Sequence, residues 1–137
     1  MIERRRGHIV AISSISGKVT GPLCSVYCAT KFGVRGFMSS LFDQLCVDNH
    51  DEFIKLTTVY PSFMNTRKVF AELLDSGKES ALLLEPEAVA DEIVKAIMLN
   101  KQDVTLPKRA SALQVIKWVI FSKFKYQKLM ELKFFVM

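Results

Sequence analysis

The feature that most restricts the fold of this chain is an apolar segment that runs directly into a pair of serines. Residues 8–13 (HIVAIS) are apolar and β-branched, which predicts a short strand buried on both faces. Residues 14–22 are rich in Ser, Gly and Thr and predict a loop. Ser25 is a suitable N-cap for a long helix from about Val26 to Val47. The chain therefore opens with a strand, a small-residue loop and a helix.

Two further strand patterns follow the long helix. Phe53–Tyr60 (FIKLTTVY) and Asp103–Leu106 (DVTL) are both followed by a proline. Between them, residues 62–80 predict a loop with a short helix, and residues 85–87 (EPE) open a second helix with proline in its first turn. The alternation of strands and helices predicts an α/β fold with a parallel sheet and crossover helices.

The first helix carries residues that are expected to face the core. Its inward-facing apolar side chains are predicted to be Phe32, Phe37, Leu41, Leu45 and Val47. Gly33 and Gly36 cost helix propensity, so this helix is expected to pack close to another backbone there.

The composition is that of one globular domain in a reducing compartment. Half of the 137 residues are hydrophobic and 24% are charged. The chain has an odd number of cysteines, namely three, and none of them have C-x-x-C spacing (Cys24, Cys28 and Cys46). This argues against a disulfide framework and against a zinc site. Because the chain also has only two histidines, no metal site is expected.

The net charge of +5 is concentrated in the C-terminal tail. Residues 108–137 hold seven basic residues and one acidic residue, so the body, residues 1–107, is nearly neutral. The tail interleaves aromatic residues with lysines, and it is too short and too charged to predict a membrane span. It predicts contact with a membrane surface rather than with nucleic acid, for which a basic patch on the body is expected. The alternative is a C-terminal helix that packs on its own domain or on a second subunit.

Three side chains near the end of the first strand could carry proton-transfer chemistry. Tyr27 and Lys31 are four residues apart on the long helix and share a face. A free tyrosine has a pKa of about 10 and is a poor base near neutrality, whereas a neighbouring ammonium favours the phenolate. Ser14 follows the strand, at the carboxyl end where parallel sheets hold ligands, and can donate a hydrogen bond to a substrate oxygen. Each pattern alone arises easily by chance, and their combination predicts Ser14, Tyr27 and Lys31 as catalytic residues.

Other residues with chemical potential have simpler interpretations. His8 lies inside the predicted strand and is expected to be a hydrogen-bonded structural histidine. Cys24 and Cys28 flank Tyr27, and a packing role is favoured over a place at the edge of a substrate cleft.

Together these residues resemble the C-terminal half of a short-chain dehydrogenase/reductase. The family's pattern is a strand ending in Ile-Ser-Ser, a following glycine, and Tyr-x-Ala-Ser/Thr-Lys. It appears here as residues 12–14 (ISS), Gly17 and residues 27–31 (YCATK). The resemblance implies a partial Rossmann-like, doubly wound parallel sheet, with residues 1–107 as its C-terminal strands and helices. It also implies that Ser14 orients the substrate oxygen, that Tyr27 is the acid/base, and that Lys31 binds the nicotinamide ribose.

The resemblance also implies that the cofactor is NAD or NADP and that a second segment of the chain lies next to its nicotinamide ring. Residues 60–66 (YPSFMNT) are similar to the family's Pro-Gly-x-Val-x-Thr, with Ser62 in place of the usual glycine. By that match Pro61, Met64 and Thr66 border the nicotinamide, as Tyr27 and Lys31 do.

The sequences of these motifs are most similar to those of the epidermal retinol dehydrogenase and hydroxysteroid dehydrogenase branch of the family. The implied activity is alcohol/ketone interconversion on a lipophilic substrate such as a retinoid, a steroid or a fatty alcohol. The implied location is the cytosol-facing surface of the endoplasmic reticulum membrane or of lipid droplets, with the cytoplasm as the alternative. A homo-oligomer formed through the helix that carries Tyr27 is expected on the same basis.

One motif of the family is missing from this sequence. A dinucleotide site needs a glycine-rich turn and a helix N-terminus for the pyrophosphate, but no Gly-x-x-x-Gly-x-Gly precedes the serine strand. The acid or arginine that selects NAD or NADP belongs to that same half. Met1 is therefore expected to correspond to an internal methionine of a longer protein. The alternative is that the chain exists as written and is a non-catalytic interaction or membrane-associated protein.

Overall fold

The computed structural model describes residues 1–20, 23–66, 83–108 and 110. Within these residues strands and helices alternate along the chain, as predicted. The strands are β1 (Gly7–Ile12), β2 (Ile54–Pro61) and β3 (Asp103–Leu106), and the α-helices are α1 (Ser25–Val47) and α2 (Pro86–Met98). A single turn of 3-10 helix, Ile15–Gly17, follows β1. The observed bounds of β1 and β2 are shifted by one residue from the prediction, and those of β3 agree with it.

The three strands form one parallel sheet in the order β1-β2-β3. Ile12 is paired with Val59, and Pro61 is paired with Leu106. All three strands therefore end on the same side of the sheet, which we call the carboxyl edge. The predicted α/β fold with a parallel sheet is confirmed.

The two helices pack on opposite faces of this sheet. Successive side chains of a strand point to opposite faces, and β2 shows this alternation. Leu56 packs in a cluster with Met38 and Leu45 of α1, whereas Val59 packs in a second cluster with Val89 of α2. This arrangement is that of a doubly wound sheet.

The first strand is less buried than predicted. Val10 and Ile12 are 36% and 47% exposed, while β2 is buried along nearly all of its length. Among the described strands, β1 has a neighbour on one side only, β2. Burial on both faces, which the strand pattern predicts, is therefore correct for β2 but not for β1. The exposed apolar residues of β1 agree with the expectation that, without the family's preceding strands, this strand has an uncovered edge.

The predicted inward face of α1 is correct only in part. Leu41 and Leu45 contribute to the core, whereas Phe32, Phe37 and Val47 are 37%, 66% and 75% exposed. Phe32, Phe37 and Val47 lie outside the stripe of the helix surface that faces the core. The residues that pack inward follow helical spacing. They are Val34, Met38, Leu41, Phe42 and Leu45.

The glycines of α1 have no close neighbour within the described residues, and the predicted N-cap of this helix is wrong by one residue. A Cβ atom built at Gly33 or Gly36 would meet nothing within 4 Å among the described residues, so no backbone packs close there. Ser25 is the first residue of the helix, and Cys24 occupies the N-cap position without a capping hydrogen bond from its side chain. α2 begins at Pro86, so that proline lies in its first turn as predicted, and Glu85 is its N-cap.

Two predictions fall on other parts of the chain. Most of the predicted loop with a short helix, residues 67–80, and most of the basic tail, residues 111–137, lie outside the described residues. In the part that is described, no helix is long and apolar enough to cross a membrane.

Candidate active site at the carboxyl edge

The serine pair lies where β1 leads into the 3-10 helix. Ser13 is buried, its N–H donates to the Val59 carbonyl at 2.8 Å, and its hydroxyl donates to the Lys31 carbonyl at 3.0 Å. Ser14 is the N-cap of the 3-10 helix, and its hydroxyl accepts a hydrogen bond from the Ser16 N–H at 3.1 Å. Ser13 thus joins the loop to β2 and to α1, and Ser14 stands at the carboxyl edge with its O–H able to donate.

Gly17 allows this loop to lie directly against α1. A Cβ atom at this position would lie 2.6 Å from the Ser13 hydroxyl oxygen and 2.7 Å from the Lys31 carbonyl oxygen. These separations are too short for any side chain, so the close approach requires glycine. The contact sets the distance between the serine loop and the helix that carries Lys31.

Tyr27 and Lys31 lie in the first two turns of α1. Tyr27 is 49% exposed and Lys31 is half-buried. The Lys31 Nζ atom lies 5.6 Å from the centroid of the Tyr27 ring, and it donates to the Ile12 carbonyl at 3.4 Å. The ammonium is therefore held between the end of β1 and the tyrosine ring, at a distance where a cation attracts an aromatic ring.

The structure places Lys31 close to Tyr27, but it does not join Ser14 to Tyr27. Within the described residues no hydrogen bond joins the Ser14 hydroxyl to the Tyr27 phenol. Ser14 reaches α1 through its neighbour Ser13, which bonds the Lys31 carbonyl. The catalytic roles of the three residues stay predictions.

The residues predicted to border the cofactor lie on the segment that leaves β2. Pro61 is the last residue of the strand and is buried. Met64 is half-buried and forms a β-bridge with Leu84. Thr66 is exposed, and its N–H donates to the Met64 carbonyl at 2.8 Å. This segment begins beside the end of β1, because β1 and β2 are adjacent strands.

Ser62 carries a polar atom that fits a ligand at this border. It is 8% exposed, its N–H donates to the Leu106 carbonyl at 2.8 Å, and its hydroxyl has no partner in the described part of the chain. Buried hydroxyls are normally hydrogen-bonded. An unpaired Ser62 hydroxyl next to Pro61 therefore fits the polar nicotinamide end of a dinucleotide, although the sequence offers no glycine-rich turn for the pyrophosphate.

A second lysine beside the site was missed by the sequence reasoning. Lys18 follows Gly17, and only 17% of its side chain is exposed. Its Nζ atom donates to the Thr105 hydroxyl at 3.1 Å, lies 3.5 Å from the Asp103 carboxylate and lies 3.9 Å from the centroid of the Tyr60 ring. Lys18 therefore links the serine loop to β2 and β3. The one sequence signal for it was a basic residue inside an otherwise small and polar loop.

Tyr60, which lies under Lys18, differs from Tyr27 in its exposure to solvent. It is 1% exposed. Burial, followed by the charge of Asp103 and a hydrogen bond with Asp103, raises the pKa of Tyr60 to about 12. Tyr60 therefore stays protonated near neutrality and is excluded as a base, which leaves Tyr27 as the accessible phenol of the two.

The remaining candidates behave as structural residues. His8 Nε2 lies 2.8 Å from the Thr57 hydroxyl, which donates in turn to the Lys101 carbonyl at 2.7 Å. The histidine is thus the donor to Thr57, and its predicted structural role is confirmed. Cys28 is buried in the first turns of α1, with its sulfur 3.3 Å from that of Cys24.

Comparison with known proteins identifies the family. Residues 1–76 match the family model described as short chain dehydrogenase. The chain is 34% identical over 122 residues to Dehydrogenase/reductase SDR family member 7B of Bos taurus, which covers 84% of this chain and 36% of that protein. It is 27% identical over 124 residues to Estradiol 17-beta-dehydrogenase 11 of Mus musculus, which covers 90% of this chain and 40% of that protein. The chain thus spans two fifths or less of these relatives.

Solved structures show the same fold. A 3-oxoacyl-[acyl-carrier protein] reductase with bound NAD from Brucella melitensis superposes with a TM-score of 0.59 and 29% identity, covering 77% of this chain and 41% of that one. A short-chain dehydrogenase from Novosphingobium aromaticivorans has the same TM-score at 20% identity, covering 96% and 51%. The Rossmann-like fold is confirmed, and the estradiol dehydrogenase agrees with the predicted hydroxysteroid dehydrogenase-like branch. The chain therefore belongs to the short-chain dehydrogenase family.

Proposed function

We propose that the protein containing this chain is a nicotinamide-dependent oxidoreductase that interconverts a lipophilic alcohol and the corresponding ketone or aldehyde. The observation that carries this proposal is the position of the Lys31 ammonium, 3.4 Å from the Ile12 carbonyl and 5.6 Å from the centroid of the half-exposed Tyr27 ring. This geometry puts a positive charge beside a phenol that substrate can reach, which is what an acid/base tyrosine requires. Family membership supports the same reaction class.

Three side chains at the carboxyl edge would each have a separate role in proton transfer. In the reductive direction, the Tyr27 hydroxyl donates its proton to the substrate oxygen, and in the oxidative direction the phenolate takes that proton back. Lys31 stabilises the phenolate by its charge. The Ser14 hydroxyl accepts from the Ser16 N–H, so its own proton is available to hold the same substrate oxygen. A bound nicotinamide supplies or accepts the hydride.

The chain would hold only the nicotinamide end of the cofactor. Lys31 would bind the ribose, and Pro61, Met64 and Thr66 would border the ring. The unpaired Ser62 hydroxyl offers this end a hydrogen bond. NAD in the Brucella reductase supports a nicotinamide cofactor here, with NAD and NADP both open.

The proposal of a lipophilic substrate rests on the sequences of the family motifs and on the relative named as an estradiol dehydrogenase. The tail, residues 108–137, has seven basic residues against one acidic residue, with aromatic residues between them. Such a composition suits the surface of an anionic membrane. The resemblance to the retinol and hydroxysteroid dehydrogenase branch adds the proposed location, which is the cytosol-facing surface of the endoplasmic reticulum or of lipid droplets.

The test uses the product of the complete reading frame that contains this chain. The absorbance of reduced nicotinamide is followed with estradiol, retinol and a long-chain fatty alcohol, each with NAD and with NADP, and ethanol serves as the polar control. We expect turnover of at least one lipophilic alcohol and little turnover of ethanol. Saturable cofactor binding without turnover of any of the three would contradict the proposal.

A second measurement tests cofactor binding by the 137-residue chain alone. We expect no saturable binding of NAD(H) or NADP(H) in a fluorescence titration, because its sequence has no glycine-rich turn for the pyrophosphate. Tight binding would show that the cofactor needs no such turn. If the complete reading frame is also unable to bind cofactor, the non-catalytic alternative replaces the proposed function.

A further inference from the structure

Cys24 and Cys28 form a close pair of thiols beside the candidate active site. Their sulfur atoms lie 3.3 Å apart, and neither cysteine is in a disulfide bond. The Cys28 N–H donates to the Cys24 carbonyl at 2.8 Å, so the two residues are one helical turn apart. Tyr27 directly precedes Cys28 in the sequence. The pair therefore encloses the first turn of the helix that carries the tyrosine.

The separation of the two residues suits a disulfide bond. One helical turn places the Cα atoms of residues i and i+4 about 6 Å apart, within the range of about 4.4–6.8 Å that disulfides use. On a regular helix the Cβ atoms of such a pair are about 5–6 Å apart, beyond the about 3.5–4.5 Å of a disulfide, so closure needs a residue that departs from helical geometry. Cys24 has φ −130° and ψ 29°, which lie outside the regular helix. The two sulfurs would have to approach by only about 1.3 Å to reach bonding distance.

The two thiols differ in exposure. Cys28 is 4% exposed, whereas Cys24 is half-buried and lies next to the fully exposed Leu23. A reagent in solution therefore reaches Cys24 first, and Cys28 lies behind it where it can attack a modified Cys24. This is the arrangement of an attacking thiol and a resolving thiol.

The third cysteine provides an internal reference. Cys46 is exposed and lies 18 positions after Cys28 near the end of the same helix, about 27 Å along its axis. Partial desolvation and the nearby carboxylates of Asp51 and Asp43 raise the pKa of the Cys46 thiol. Cys46 has no second thiol of this chain within reach, so an adduct on it cannot be resolved.

We propose that Cys24 and Cys28 are a modification site at which a low-molecular-weight disulfide, such as glutathione disulfide, converts the two thiols into an intrahelical disulfide. The Cys24 thiolate attacks one sulfur of glutathione disulfide, whose S–S bond breaks and releases one glutathione. The Cys28 thiolate then attacks the Cys24 sulfur, breaks the mixed disulfide and releases the second glutathione. The two cysteines are oxidised, one glutathione disulfide is reduced, and the two cysteine protons pass to the leaving thiolates.

The bridge would covalently close the turn that contains Tyr27. Its effect on catalysis rests on the proposed function, but the chemistry at the thiols does not. The test therefore measures mass rather than activity, so that failure of one proposal is distinct from failure of the other.

The test uses the 137-residue chain with Cys46→Ser, which leaves only the pair. After incubation with glutathione disulfide under native conditions, intact mass and peptide mapping are expected to show the loss of two hydrogen atoms from most molecules, with no retained glutathione. Dithiothreitol is expected to reverse the change. Stable glutathione adducts, unmodified thiols or disulfide-linked dimers as the main product would each overturn the proposal.

Two controls test the roles of the thiols and of the fold. With Cys28→Ser added, a glutathione adduct is expected to persist on Cys24, and its absence would contradict Cys24 as the attacking thiol. In denaturant, where the 3.3 Å sulfur separation is lost, closure of the mixed disulfide is expected to be several-fold slower than in the native chain. Equal rates would show that the folded geometry contributes nothing.

Discussion

At position 17 the site depends on the absence of a side chain. Gly17 brings the loop that carries Ser13 and Ser14 against the backbone of Lys31, and a Cβ atom there would lie 2.6 Å and 2.7 Å from its nearest neighbours. Gly33, on the helix that Gly17 contacts, has nothing within 4 Å of a built Cβ among the described residues. The same residue type is thus required for packing in the loop, whereas no described residue requires it at position 33.

Gly17→Ala is expected to destabilise the fold, because a methyl group there must displace the Ser13 hydroxyl or the Lys31 backbone. The expected loss is about 1–3 kcal/mol in the free energy of unfolding, measured from urea denaturation of the 137-residue chain. The matched control is Gly33→Ala, which is expected to stabilise the helix by about 0.5–1 kcal/mol. Similar losses in the two variants would contradict the close approach at Gly17.

At the scale of elements, sequence reasoning succeeded where the signal was local. The proline at the start of α2 and the short DVTL segment before Pro107 placed α2 and β3 correctly. It failed where the outcome depended on partners distant in sequence. The half-exposure of β1 reflects its position at one side of the described sheet, and nothing in its six residues encodes that position.

The same reason explains which parts of the site could be predicted. Tyr27 and Lys31 are one helical turn apart, so their proximity follows from spacing alone. Lys18 could not be found in that way, because its partners Tyr60 and Thr105 lie on two other strands. The unpaired hydroxyl of Ser62 is likewise visible only once the surrounding strands are packed.

Lys18→Met tests the link between the serine loop and the sheet. The substitution keeps most of the apolar stem but removes the hydrogen bond to Thr105 and the contact with the Tyr60 ring. The expected loss of unfolding free energy is about 1–2 kcal/mol. Lys95→Met is the control, because among the described residues the Lys95 ammonium makes only an exposed 3.9 Å pair with Glu92. Its expected effect is below about 0.5 kcal/mol. If both variants unfold at the wild-type urea midpoint, the link carries no stability.

At the scale of the whole molecule, stability depends on keeping Tyr60 protonated. Burial and Asp103 raise the pKa of Tyr60 to about 12 in the folded chain, above the value of about 10 for a free tyrosine. The unfolded chain therefore releases this proton at lower pH than the folded chain. The stabilisation is present in full below about pH 10 and is lost as the pH rises toward about 12.

Tyr60→Phe is expected to remove this part of the alkaline destabilisation. For the wild type, Tyr60 should account for a loss of roughly 2 kcal/mol in unfolding free energy over that pH range. Denaturation midpoints of wild type and Tyr60→Phe, compared across that range, isolate this contribution from the titration of the lysines. Identical pH dependence in the two proteins would contradict the raised pKa of Tyr60.

The most direct test of the candidate active site compares two Tyr→Phe substitutions in the product of the complete reading frame. Tyr27→Phe removes the half-exposed phenol beside Lys31, and Tyr60→Phe removes the buried phenol that stays protonated. We expect kcat for the lipophilic alcohol to fall by about 100-fold or more in Tyr27→Phe and to change only a few-fold in Tyr60→Phe. A Tyr27→Phe enzyme with a kcat close to that of the wild type would contradict Tyr27 as the acid/base.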